Sequence, residues 1–191
     1  MDYNTTVYHA SPVNNIIQFE LGVRTTGETD DPVDGIWLGT SYEGARWHAI
    51  SVVGTARNLP NTYIYECQFV SGTVIANAKD KEMPDSSWSL FQQKFVPSWR
   101  RAISVLFPLK NEDWFHKVMD IARQDPGYGG YNGSMNAVIS VCRECGIDVL
   151  VHPSTDVSPN GQLQHWDEGV YGDVLLLLDC KKAVILKKFT L

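Results

Sequence analysis

Two short blocks near the start of the chain hold the residue types that could bind a ligand and take part in its chemistry. The first block, Tyr8-His9-Ala10-Ser11, is typical of a strand that ends in a histidine and a small polar residue. The second, residues 34–48, is typical of a strand that runs into a capped helix, and it contains two tryptophans. A histidine at a strand end can hydrogen-bond a ligand hydroxyl at neutral pH without carrying charge. An indole can stack on a planar ring.

The order and spacing of these blocks resemble the NAD-binding half of an ADP-ribosyltransferase. The resemblance is to the branch with a His–Tyr–Glu site, which includes diphtheria-toxin-like toxins and poly(ADP-ribose) polymerases. That branch carries a His-Gly-Ser or His-Gly-Thr triplet at the end of its first strand, and the triplet here is His9-Ala10-Ser11. The resemblance implies that His9 anchors the nicotinamide ribose, with Ala10 and Ser11 beside it. A structural histidine in a small core is the alternative.

The second block resembles the Gly-Ile-Tyr strand of the same family, with Trp37 at the tyrosine position. In the family a second ring, which stacks on nicotinamide, follows after a turn or two of helix. Trp47 and His48 stand at that distance, ten and eleven residues after Trp37. The resemblance implies that Trp37 and Trp47 clamp the nicotinamide ring, with His48 as the other candidate for the second position. Core packing is the alternative for both tryptophans.

Three charged residues are further candidates by the same resemblance. Arg24 ends an apolar-x-x-Gly-x-Arg segment and is expected to contact an NAD phosphate, with an exposed helix-end cation as the alternative. The family places a glutamate at the head of a late strand, where it polarises the ribose. Asp173 heads the apolar run 174–178 and is the first candidate for this role, and Glu168 in the preceding loop is its rival. A capped strand end without a catalytic part is the alternative for Asp173.

The hydrophobic pattern predicts strands near both ends of the chain and helices between them, which indicates an α+β domain. We expect strands at residues 6–10, 35–39, 63–69, 73–75, 148–151, 174–178 and 183–186. We expect helices at residues 14–21, after Ser41, and at 87–95, 111–123 and 135–145. The resemblance implies an ADP-ribosyltransferase-like core with a split, mixed or antiparallel sheet flanked by helices. It covers residues 6–76 and 147–190 and does not extend to residues 77–146.

The composition fits one domain over residues 1–191 and excludes several classes of function. The net charge of −6 and the pI near 5.3 disfavour broad binding to nucleic acid or to anionic membranes. The sequence has neither an apolar run of about 20 residues nor the start of a signal peptide. The lone C-x-x-C, Cys142 to Cys145, lies in an apolar helical pattern, so packing is favoured over metal binding or redox activity. We expect a reduced compartment, either the cytoplasm or a target-cell cytosol that the protein reaches without a cleaved signal peptide.

The sequence therefore predicts an NAD-dependent mono-ADP-ribosyltransferase that uses NAD as a substrate and no metal. A bacterial or phage toxin or effector is the expected setting, with an antitoxin or immunity protein as a hypothetical partner. The acceptor stays open, although a protein is favoured over a nucleic acid. One alternative is an NAD glycohydrolase, in which water is the acceptor. The other is a degenerate fold that binds a nucleotide or a protein without turnover.

Overall fold

The computed structural model describes residues 5–21, 33–54, 61–78, 131–153, 156–157, 163–164 and 172–191, and the single positions 87, 90, 115, 119, 122 and 123. The strands are β1 (Val7–Ser11), β2 (Ile36–Gly39), β3 (Tyr63–Phe69), β4 (Ile75–Asn77), β5 (Val149–Val151), β6 (Asp156–Val157), β7 (Leu163–Gln164), β8 (Val174–Leu177) and β9 (Ala183–Thr190). The helical segments are α1 (Tyr42–His48), a π-helix (Ala49–Gly54), α2 (Tyr131–Glu144) and a 3₁₀ turn (Cys180–Lys182). The chain is an α+β protein.

A seven-stranded mixed sheet in the order β4-β5-β8-β2-β1-β3-β9 organises the molecule. The β4–β5 pair is parallel and every other pair is antiparallel. Strand β2 pairs with β8 over all four of its residues. Its other neighbour, β1, is in register with it only at Tyr8 and Gly39. The sheet is therefore two halves, β4-β5-β8-β2 and β1-β3-β9, joined at a narrow seam.

The sheet curls so that its two halves face each other. Residues 178–182 connect β8 to β9, although three strands lie between them in the sheet order. In a flat sheet these strands would be about 19 Å apart, which a link that includes a 3₁₀ turn with a rise of about 2 Å per residue cannot span comfortably. Lys182 in this link also lies 3.1 Å from the carboxylate of Asp148, which precedes β5 in the other half. The curl gives the sheet an inner and an outer face.

Side chains alternate between these faces along each strand. The inner face carries one core that draws on both halves, including Val7, Tyr65, Leu38 and Leu175. On the outer face, α2 covers the first half, and its core includes Leu150 and Leu176. Helix α1 covers the second half, where Ala45 and Ala49 pack on Ile64. The partition explains why β5 and β8 are apolar on both sides.

Residues 14–21 do not form the helix that their apolar pattern predicts. Asn15 is left-handed, with φ of 64°. The Tyr65 hydroxyl donates to the Val13 carbonyl at 2.6 Å and accepts the Ile16 N–H at 3.2 Å. A left-handed residue at this position cannot belong to the first turn of a right-handed helix, and the two bonds to Tyr65 hold the chain in the non-helical course. Phe19 is buried on the inner face as predicted for an apolar position, whereas Ile17 is 90% exposed.

Other predicted elements agree with the structure within a few residues. The strand predicted at 73–75 lies at Ile75–Asn77 instead, because Gly72, with φ of 79°, forms a turn before it. Strand β9 runs on to Thr190, four residues past its predicted end, because it continues its pairing with β3. Of the helices predicted at 87–95 and 111–123, only single positions are described, and all of these are helical. No helix in the described part of the chain is long and apolar enough to cross a membrane.

The predicted N-cap of α1 is present, since the Ser41 hydroxyl accepts the Gly44 N–H at 3.1 Å. We expect Ser41→Ala to lower the free energy of unfolding by about 1 kcal/mol, because one amide at the helix start loses its partner. For a chain of this size that loss lowers Tm by about 2–4 °C. Ser51→Ala is the matched control, since Ser51 is exposed within the π-helix. Equal Tm values for Ser41→Ala and the control in differential scanning calorimetry would contradict the capping role.

Candidate active site

His9 lies at the seam between the two halves of the sheet. Its side chain is on the inner face, as is that of Tyr65, with which it pairs across β1 and β3. The imidazole Nδ1 donates to the Trp37 carbonyl at 2.9 Å, so the ring continues the contact with β2 where the ladder has ended. The Phe19 ring lies nearly perpendicular to the imidazole, with 5.2 Å between the two ring centroids. Because a carbonyl can only accept, Nδ1 carries a proton, and in the neutral ring Nε2 is an acceptor.

The other two residues of the triplet have structural contacts. Ser11 is buried, and its hydroxyl accepts the Val13 N–H at 3.1 Å, which turns the chain after β1. Ala10 points to the outer face and packs against α1. His9 therefore places its ring on the inner face, whereas Ser11 forms the turn after β1.

The aromatic candidates lie elsewhere on the molecule. Trp37 pairs with Leu176 of the outer-face core, so its indole is on the opposite face of the sheet from His9, and it is 38% exposed. Trp47 is 50% exposed. It stands two residues from both Ala45 and Ala49, the inward positions of its helix, and so lies on the outward side. His48 is half-buried at the end of α1.

Asp173 is held at the head of β8 by its backbone. The Thr40 N–H donates to the Asp173 carbonyl at 3.1 Å, and the Asp173 N–H donates to the Thr40 hydroxyl at 2.8 Å. These bonds extend the β2–β8 pairing by one position. Alternation then puts Asp173 on the same inner face as Leu175 and His9.

A histidine that the sequence reasoning missed contacts Asp173. His152 follows β5, and its Nε2 lies 3.2 Å from Asp173 Oδ1. The His152 N–H donates to the Val174 carbonyl at 2.7 Å, and its backbone is left-handed, with φ of 55°. The signal that could have found it is its position directly after a fully buried strand. The pairing of that strand with β8 was not predictable from the sequence.

The candidates thus fall into two groups. His9 and Asp173 share the inner face on strands two apart, with Leu38 between them. Strand spacing and register place their Cα atoms on the order of 12 Å apart. Trp37, Trp47 and His48 do not share that face. Arg24 and Glu168 lie outside the described residues.

Comparisons of the chain with protein-family models, with curated proteins and with solved structures found no significant match. Function must therefore be inferred from the chemistry of the site itself. Among the described residues, no group of three or more His, Cys, Asp or Glu side chains could hold a metal ion. Of the predicted site residues with an ionisable side chain that the structure describes, it places two at the inner face, the imidazole of His9 and the carboxylate of Asp173, which is paired with His152.

The cysteines pack in the interior of the protein. All four are buried free thiols. Burial raises the pKa of the Cys67 thiol to about 12, with the Glu66 carboxylate adding to the effect. Burial likewise raises the pKa of Cys142, which lies in the core under α2. A thiol that stays protonated at neutral pH is a poor nucleophile and a poor metal ligand.

Gly172 fixes the approach to Asp173. It has φ of 67°, and a Cβ built on it would lie 2.3 Å from the Thr40 hydroxyl oxygen. We expect Gly172→Ala to lower the free energy of unfolding by more than the roughly 1 kcal/mol typical of a positive φ alone. Gly72→Ala is the control, since its φ is 79° and nothing lies within 4 Å. Urea denaturation of both variants tests this, and in a Thr40→Ala background, which itself loses the bond from the Asp173 N–H, the further loss caused by Gly172→Ala should be smaller. Equal losses would contradict the steric account.

We expect the native protein to resist thiol reagents, because all four cysteines are buried and burial raises the pKa of the Cys67, Cys142 and Cys180 thiols. A colorimetric disulfide reagent at pH 8 should leave them unreacted over the time in which free cysteine is consumed. Denaturant should release all four thiols. Ser51→Cys is the positive control because that side chain is exposed. Fast reaction of any thiol in the wild-type protein would contradict the packing assignment.

Proposed function

We propose that the chain is an NAD-dependent mono-ADP-ribosyltransferase with an ADP-ribosyltransferase-like fold. In the reaction the bond between the nicotinamide nitrogen and ribose C1′ breaks, and nicotinamide leaves with the electron pair. C1′ then bonds to an acceptor atom, whose proton is released. Positive charge builds on the ribose as the first bond breaks. The site must therefore orient the ribose and supply negative charge beside it.

The single observation that carries the proposal is the adjacency of β1, β2 and β8. His9 lies in β1, Trp37 in β2, and Asp173 directly before β8; these residues stand at the three positions of the family's site, and their strands lie side by side in the sheet. Asp173 is more than a hundred residues from the other two along the chain. A chance resemblance gives no reason for their strands to be neighbours. The seam between β1 and β2 supplies a break in the sheet next to His9.

His9 is suited to hold a sugar hydroxyl. Its Nδ1 proton is committed to the Trp37 carbonyl, which fixes the plane of the ring. In the neutral ring Nε2 can then accept a hydrogen bond from a ribose hydroxyl. The perpendicular Phe19 ring packs against the imidazole and limits its rotation. The histidine would thus act by orienting the ribose.

Asp173 is suited to stabilise the developing cation. Its side chain is 45% exposed, so a ligand can reach it, and it shares the inner face with His9. A carboxylate beside the ribose lowers the energy of the charged transition state more than that of the ground state. Trp37 would contribute its carbonyl oxygen, which positions His9, and its indole faces the other side of the sheet. Because the net charge is −6, we propose a protein acceptor in preference to a polyanion.

Nicotinamide release from NAD by the purified chain tests the proposal. We expect His9→Ala to lower the rate at least about 10-fold and Asp173→Asn to lower it about 100- to 1,000-fold, since each removes a group aimed at the transition state. Asp179→Asn is the matched control. Asp179 follows the other end of β8, and its oxygen accepts the Lys181 N–H, a bond that asparagine can keep.

The products distinguish the related activities. NAD labelled in its adenylate half should transfer label to protein in a cell lysate, whereas free ADP-ribose alone would indicate a glycohydrolase. Saturable NAD binding without products would indicate the binding-protein alternative. Neither release nor binding, with or without lysate, would overturn the proposed function.

A further inference from the structure

We propose that His152 is a positioning residue that holds the Asp173 carboxylate in its working orientation. The inference rests on the proposed function for its chemical meaning, and on the geometry of the His152–Asp173 pair for its evidence. The two atoms that meet are His152 Nε2 and Asp173 Oδ1, at 3.2 Å. Since a carboxylate oxygen accepts, Nε2 must donate. Nothing in the resemblance to the family pointed to a histidine at this place.

The exposures of the two side chains decide which of them faces the ligand. The His152 side chain is 11% exposed and the Asp173 side chain is 45% exposed. A histidine acting as the base would need the reverse arrangement, with the imidazole open and the carboxylate behind it. Here the carboxylate is in front and the imidazole supports it. Asp173 is therefore the group that contacts substrate, and His152 acts through it.

The backbone around the pair is built to hold this arrangement. His152 keeps a left-handed conformation, φ 55°, which costs a non-glycine residue about 1–2 kcal/mol. Its N–H is bonded to the Val174 carbonyl at 2.7 Å, directly beside Asp173. Asp173 is fixed in turn by its two bonds to Thr40. Costly backbone geometry that is held by several bonds is common where a side chain must be aimed.

The His152–Asp173 contact also compensates for the short side chain at position 173. Aspartate has one methylene fewer than the glutamate of the resembled family, so its carboxylate reaches less far from the strand. A short side chain that is held in one rotamer can contact the ribose only if that rotamer directs the carboxylate toward it. The contact of Oδ1 with His152 Nε2 fixes the rotation of the carboxyl group. His152 thus selects one orientation of a group that would otherwise rotate.

The test compares His152→Ala with His152→Gln in nicotinamide release. We expect His152→Ala to lower kcat about 10- to 100-fold, since misplacing a catalytic group by about 1 Å has an effect of this size, and to leave KM for NAD nearly unchanged. His152→Gln should recover most of kcat, because its amide nitrogen stands near the position of Nε2. In an Asp173→Asn background, His152→Ala should cause little further loss. Gly72→Ala controls for lost stability, because its turn precedes Ile75, which pairs with Val149 at the end of β5 away from His152.

Ring nitrogen NMR shifts give a readout that does not need activity. In the wild-type protein at neutral pH we expect Nε2 of His152 to be protonated, with the resonance assigned by its loss in His152→Gln. An unprotonated Nε2 would overturn the pair, as would a His152→Ala variant with full kcat, or equal losses in the Ala and Gln variants. Absence of nicotinamide release from a wild-type protein with a protonated Nε2 would instead overturn the proposed function, and with it the catalytic role of His152.

Discussion

Strand β2 must have its backbone groups paired on both edges, and most of the structure depends on how it meets that requirement. A buried N–H or C=O without a partner is costly, so a central strand normally bonds to a neighbour along its whole length. Strand β2 does so with β8. With β1 it shares one registered pair, and the His9 imidazole takes the next carbonyl. One side chain thereby replaces part of a ladder, and the sheet can open there without leaving that carbonyl unsatisfied.

Strands β5 and β8 form the rigid side of this opening. At one end, the Asp148 carboxylate accepts the Val74 N–H at 2.8 Å and pairs with Lys182. Near the same end, Arg143 of α2 donates to the Leu178 carbonyl at 3.0 Å and pairs with Asp34 before β2. At the other end, the His152–Asp173 pair closes the two strands. Because both ends are fastened, the carboxylate at the head of β8 has a fixed frame.

The sequence could predict what local patterns determine. Ser41 as an N-cap and the apolar strands followed from residue type and spacing. The segment 14–21 is not a helix: Asn15 is left-handed, and the hydroxyl of Tyr65, some fifty positions away, holds the chain on either side of it. The face on which Trp37 lies depends on the register with β8, which no local pattern encodes. For the same reason His152 could not be linked to Asp173 until the pairing of β5 with β8 was known.

The late position of β9 in the chain has a consequence for synthesis. Strand β9 is the outer neighbour of β3, so β3 has one edge open until residues 183–190 have left the ribosome. The sheet also cannot curl before then, because the link between β8 and β9 contains Lys182, which pairs with Asp148 in the other half of the sheet. During translation the nascent chain would therefore expose an unpaired strand edge, which can pair with another chain and cause aggregation. Pairs this far apart in the sequence, here β3 with β9 and β2 with β8, raise the contact order of the fold, which slows folding.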